Sequence, residues 1–281
     1  MIDIKLTTLI ASTLLLSGCF EPRLNTEQLC EKYPELNCAK LNMNDGQCRV
    51  ARTDLIWHRK KVLDDPIVQN KVKEFHLVSE YQKCLDLVAQ IEPTKVADKK
   101  ERRFNALMHT YDDQKRLLKE IGSYDSPTAL YFMWTQGDSR AIRRFLKYEN
   151  TKQLDTPELQ YALATYYIVR DKEKTVNILH KALSFGPTDE TLINNVVESL
   201  ASVNQSLERN EHAYIWVMVA KELDLPVAPD RNLNVLYNFD KQKRERLQDI
   251  SESVLESIEK KKFRSSMIPS LQSLQSLQSL Q

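Results

Sequence analysis

Glycine is scarce in this chain, five in 281 residues, and none stands in a pattern that cradles a phosphate. GxGxxG, GxxxxGK[ST], HExxH and GxSxG are all absent, so nucleotide-binding loops and the common hydrolase elbows have no support. Neither sign of charge dominates: 40 Lys and Arg are interspersed with 39 Asp and Glu, for a formal net charge of +1. That balance argues against nucleic acid as a partner. Long apolar runs are missing too. The stretch from Leu6 to Leu16 is diluted by Thr7, Thr8, Ser12 and Thr13, and as a helix it would reach only about 16 Å, short of the roughly 30 Å of bilayer hydrocarbon. The five histidines, His58, His76, His109, His180 and His212, are scattered singly and read as surface or partly buried polar groups rather than ligands or bases. No cofactor and no metal is expected. Strand-type alternation is rare, while Leu, Lys, Glu, Gln and Ala abound, so the chain reads as all-α.

What is present begins with that short apolar stretch. Lys5 precedes it and small residues follow, the layout of a secretory signal. It ends on Leu16-Ser17-Gly18-Cys19, which resembles the lipobox of bacterial lipoproteins. The resemblance implies cleavage after a signal peptide at 1–18 and acylation of Cys19, whose chains would hold the protein stably at a membrane. Phe20, not being Asp, implies sorting to the outer membrane, facing the periplasm.

Beyond Cys19 the chain carries Cys30, Cys38, Cys48 and Cys84, an even number. In an oxidising compartment, two disulfides are the expected outcome, and three pairings are open. The competing reading is a four-thiolate zinc site. Such sites place ligands in closely spaced pairs, and the gaps here are wider. Leu41 to Cys48, "LNMNDGQC", reads as a turn rather than a calcium loop, because Leu41 and Met43 fall where the first oxygen ligands should be. The acidic pairs Asp64–Asp65 and Asp112–Asp113 read as capping or solvated residues.

Helical periodicity organises the rest. Asp64-Asp65-Pro66 reads as a helix start, followed by Val68, Val72, Phe75, Val78, Leu85 and Val88 at helical spacing. A second run places Phe104, Leu107, Tyr111, Leu118 and Ile121 on one face, and the two should form an antiparallel pair. Farther on, three stretches superpose, beginning at Gly137, Arg170 and Arg209. Each carries a small residue (Ala141, Thr175, Ala213), an apolar residue four positions on (Phe145, Leu179, Val217) and another position three further (Tyr148, Ala182, Ala220). Their spacing suits a helix-turn-helix array, in which small residues let helices approach and stacking completes a core that one pair cannot bury alone. Pro157 to Pro187 resembles a tetratricopeptide repeat and His212 to Pro226 a Sel1-type repeat, although Leu163, Thr175 and Tyr148 depart from the pattern. No catalytic residue comes with either resemblance. Asn44 to Arg59, "NDGQCRVARTDLIWHR", followed by the repeats, resembles an uncharacterised family of bacterial lipoproteins.

The expected organisation is therefore a signal peptide at 1–18, a lipidated Cys-rich tether at 19–50, a disulfide-stapled helical subdomain at 51–122, and a TPR/Sel1-like solenoid at 123–226. A capping helix at 227–268 carries Leu247, Ile250, Val254 and Ile258, and a disordered Ser-Leu-Gln tail covers 269–281. The expected function is that of an adaptor, not an enzyme, binding a protein or peptide partner in cell-envelope biogenesis or maintenance. A structural envelope lipoprotein and an envelope enzyme with an unfamiliar site are the rivals. Trp134, Tyr161, Tyr166, Tyr167 and Trp216 are the aromatic candidates for core or for groove, with neither assigned.

Overall fold

The computed structural model describes residues 24–91 and 98–275. The stretch expected as a signal peptide, Cys19 and residues 276–281 lie outside the described residues. Every regular element among the described residues is helical, as the periodicity expects, and none of these helices is long and apolar enough to cross a membrane. The described chain forms two compact units, one ending at Ser123 and the other beginning at Tyr124.

The first unit contains α1 (Thr26–Lys32), α2 (Arg49–Asp64), α3 (Val68–Ala89) and α4 (Asp98–Gly122). Asn25 opens α1 with a reciprocal capping box, its side chain accepting from the Gln28 N–H while the Gln28 side chain accepts from the Asn25 N–H. Residues 24–50 of the stretch expected as a tether are thus structured. It buries Leu29, Leu36 and Leu41, with 3-10 turns at Pro34–Leu36 and Cys38–Lys40. Two disulfides hold it, Cys30–Cys38 within the stretch and Cys48–Cys84 between the start of α2 and α3. α3 packs on both α2 and α4 through Val68, Phe75, Val78, Tyr81, Leu85 and Val88. Its start falls two residues later than Asp65-Pro66 suggests: Asp64 is the last residue of α2, and Asn70 holds the turn by donating to the Asp65 carbonyl at 2.7 Å.

α4 departs from its apolar pattern. The face it buries carries Arg103, Ala106, Leu107, Thr110, Asp113, Leu117 and Ile121, whereas Phe104, Met108 and Tyr111 are exposed. At about 100° per residue, the inward face is turned by roughly a quarter circle from the stripe expected through Phe104 and Tyr111. The cause is ionic, since Arg103 and Asp113 each complete a buried charge cluster described below.

The second unit contains α5 (Pro127–Thr135), α6 (Ser139–Phe145), α7 (Pro157–Tyr167), α8 (Lys172–Ser184), α9 (Glu190–Ser206), α10 (Asn210–Glu222), α11 (Asp230–Tyr237), α12 (Lys241–Glu259) and α13 (Leu271–Gln275). Most of these helices begin on a side-chain cap: Ser126, Asp138, Thr156, Asp171, Asp189 and Asp240 each accept a backbone N–H of the first turn. Pro127 and Pro157 directly follow two of them, where the missing N–H costs nothing. Helices pair in chain order, α5 with α6, α7 with α8 and α9 with α10, and α5 also touches α7, as α7 touches α9. The small residues Ala141, Thr175, Ala182, Ala213 and Ala220 are all buried, which is what close approach of paired helices requires. α12 packs on α10 through Leu247, Val254 and Ile258. The tail expected as disordered begins instead as α13, which touches α10 and buries Leu274.

Candidate functional site

Of the five aromatic candidates, Trp216 belongs to the core. Its side chain is fully buried among the rings of His180 and Phe263. The other four are half-buried, and three of them join a chain of rings that spans two consecutive helix pairs. Tyr131 and Trp134 of α5 meet at 5.8 Å between ring centres, Trp134 meets Tyr166 of α7 at 6.3 Å, and Tyr166 meets Tyr167 at 5.0 Å. The first, second and third contacts are edge-to-face, the arrangement that ring quadrupoles favour. Tyr161 interacts with Tyr131 across the same helices, and burial pushes the Tyr131 hydroxyl up from its ordinary pKa.

Two cations close this chain of rings. The Arg170 guanidinium lies 4.1 Å from the Tyr166 ring centre, and the Lys174 ammonium lies 3.8 Å from that of Tyr167. Glu149 fixes the second pair, accepting from the Tyr167 hydroxyl at 2.6 Å and pairing with Lys174 at 2.5 Å. That bond raises the pKa of the ammonium. Half-buried aromatic rings beside an arginine are the residue types that often anchor protein interfaces. Tyr131, Arg170 and Lys174 escape a sequence reading. The only signal for Tyr131 is its three-residue spacing from Trp134 on a helix.

The charged groups of the first unit assemble differently. Glu74 and Asp113, both buried, are shared by Arg59 and Arg116: Arg59 lies 3.3 Å from Glu74 and also binds Asp113, while Arg116 lies 2.9 Å from Glu74 and 3.3 Å from Asp113. This quartet ties α2, α3 and α4 together, and it corrects the view of Asp113 as a solvated carboxylate. Its neighbour Asp112 does face solvent. A second cluster centres on Asp45, which accepts from Arg103 at 2.6 Å and pairs with Lys99 at 3.3 Å, while Arg52 donates to the carbonyls of Asn42 and Asp45. Burial would raise the Asp45 carboxyl, but hydrogen bonds from Arg103 and the Gln47 N–H outweigh it and hold the pKa at about 2. The "LNMNDGQC" stretch is therefore a turn wrapped on two guanidinium groups.

Cavities near these groups do not converge on a reactive set. One of about 340 Å³ borders the quartet at Arg59, Lys71, Glu74 and Arg116, and one of about 310 Å³ lies between α10, α11 and α12. Among the described residues no cluster of three or more His, Cys, Asp or Glu could hold a metal ion. The histidines serve separate local contacts. His58 bonds the Asn70 carbonyl, His109 lies 3.3 Å from Asp113, and His212 bonds the Pro269 carbonyl at 2.8 Å. Burial lowers His180 to about 4, with a further push from His212.

No curated protein and no solved structure matches the chain. Residues 16–218 match a family described as protein of unknown function, DUF2989. The match runs from the apolar stretch ahead of Cys19 into α10 and so includes both disulfides and all three helix pairs. The chain belongs to the DUF2989 family.

Proposed function

We propose that this protein is a lipid-anchored periplasmic adaptor, held at the outer membrane through acylated Cys19. Its second unit stacks TPR/Sel1-like helix pairs to bind a protein or peptide partner in cell-envelope biogenesis or maintenance. The observation that carries the reading is the half-buried chain of rings Tyr131, Trp134, Tyr166 and Tyr167 across two consecutive helix pairs, with Arg170 and Lys174 beside it. Aromatic and arginine side chains are the residue types that most often dominate binding energy at protein interfaces. Consecutive pairing of α5–α6, α7–α8 and α9–α10, with small residues buried at each crossing, supports the repeat reading. Two disulfides within the first unit support export to an oxidising compartment.

The test is chemical crosslinking of the protein in intact cells, with copurified proteins identified by mass spectrometry. The wild-type protein is compared with Cys19→Ala and with the double variant Trp134→Ala/Tyr166→Ala. The adaptor reading expects a recurrent partner that is lost in both variants. A partner set unchanged by the aromatic substitutions would remove the ring chain from the account.

A further inference from the structure

Five exposed apolar side chains of the first unit lie toward one end, the end where the described chain begins, while Leu63 and Ile67 are exposed at the opposite end of α2. Asn25, Met43, Arg49 and Val50 border a single cavity of about 590 Å³. Arg52 ties the start of α2 to the 42–45 turn, and Asp45 ties that turn to Lys99 and Arg103 of α4. Arg103 in turn donates to the carbonyls of Val88, in the last turn of α3, and of Ile91, just past its end. Four element ends therefore meet here. Val50, Leu87, Ile91 and Phe104 stand at this end 70, 69, 52 and 55% exposed, and Met108 follows one turn beyond Phe104. Apolar surface gathered in this way marks a contact site.

The occupant follows from the reach of the chain. Cys19 lies five residues before Leu24, the first described residue, and five residues span at most about 18 Å. On the lipid-anchor reading above, on which this inference rests, acylated Cys19 sits at the bilayer surface and keeps this end of the unit beside it. The geometry points to a phospholipid bilayer surface as the occupant, with Val50, Leu87, Ile91, Phe104 and Met108 entering the headgroup–acyl boundary. Arg49, Lys99 and Arg102 are interspersed here with Glu27, Asp54, Asp98 and Glu101, so the contact is apolar and depends little on salt or anionic lipid.

The test uses the chain from Cys19 to Gln281. With the other four cysteines in disulfides, Cys19 is its one free thiol, and it can be coupled to a maleimide-bearing lipid whether or not cells acylate it. The vesicles are phosphatidylethanolamine with a minor share of phosphatidylglycerol, with and without brominated acyl chains. Phe104→Trp places a reporter at the proposed contact, and Leu63→Trp places one at the far end of α2, roughly 20 Å away along the helix. Bromine should quench most of the emission added by Phe104→Trp and little of that added by Leu63→Trp, at low and high salt alike. Equal quenching of the two, or none of either, overturns the inference. Intact mass of Cys19 in protein recovered from cell envelopes tests the anchor separately. An acyl mass without quenching refutes the surface contact alone, whereas quenching without an acyl mass refutes the anchor alone.

Discussion

Acidification should weaken the second unit through one histidine. His180 is buried beside Trp216 and Phe263, with ring centres 5.7 Å from each, and its Nε2 has no hydrogen-bond partner among the described residues. Burial, aided by His212, lowers its pKa from 6.5 to about 4. Between those values the unfolded chain binds the proton and the folded chain does not. Stability from this group is therefore complete above pH 6.5 and is lost as the pH falls toward 4. Each pKa unit is worth about 1.4 kcal/mol, so the full effect is about 3 kcal/mol. The substitution His180→Leu removes both the titrating group and an unpaired buried nitrogen, so stability at pH 7 should change by no more than about 1 kcal/mol. The assay is urea unfolding at pH 7 and pH 4 in a Trp57→Phe/Trp134→Phe background, where Trp216 is the sole reporter. The wild-type protein should lose about 3 kcal/mol more than His180→Leu between the two pH values. Equal losses would refute the reasoning, since His212 and the carboxylates titrate in both proteins.

Three further predictions concern the clusters and the rings. Asp45→Ala leaves Arg103 buried without its anion and should cost the first unit about 3–5 kcal/mol, read by urea unfolding followed at Trp57. Cys48→Ser with Cys84→Ser opens a disulfide closing 36 residues, which should cost about 4 kcal/mol by the chain-entropy relation. Because all four bridged cysteines lie in the first unit, the transition reported by Trp216 should stay where it is, and a matching loss there would refute this assignment. Trp134→Ala/Tyr166→Ala should leave helix content, measured by far-ultraviolet circular dichroism, unchanged while weakening partner binding at least tenfold, as expected for interface anchors.

Much of the fold is legible in the residues because propensity, caps and apolar spacing agree. The helices from α5 to α9 show their starts in Ser126-Pro127, Asp138, Thr156-Pro157, Asp171 and Asp189. Their crossings show in the spaced small residues, all buried. α4 is where such reading fails. Phe104, Met108 and Tyr111 face outward because Arg103 and Asp113 must reach partners contributed by the 42–45 turn and by α2, and long-range charge pairing leaves no periodic trace. The Ser-Leu-Gln tail differs for another reason. Leucines three apart are displaced by about 60° around a helix, so a long run forms no stripe, yet two successive leucines still share a face. Leu271 is half-buried and Leu274 buried on that account. The disulfide pairing could not be read from spacing, since each of the three pairings closes plausible loops. Among the aromatics, helix position alone did not separate Trp216, which is enclosed, from Trp134, which lies between two helix pairs.

The most direct test of the adaptor account is site-specific photocrosslinking in living cells. A photoreactive residue replaces Tyr166 in one protein and Val235, an exposed position on α11, in another. The account predicts a discrete adduct of constant mass from position 166, absent from position 235 and lost when Cys19→Ala is added. The same adducts from both positions, or none from position 166 at normal expression, would contradict it.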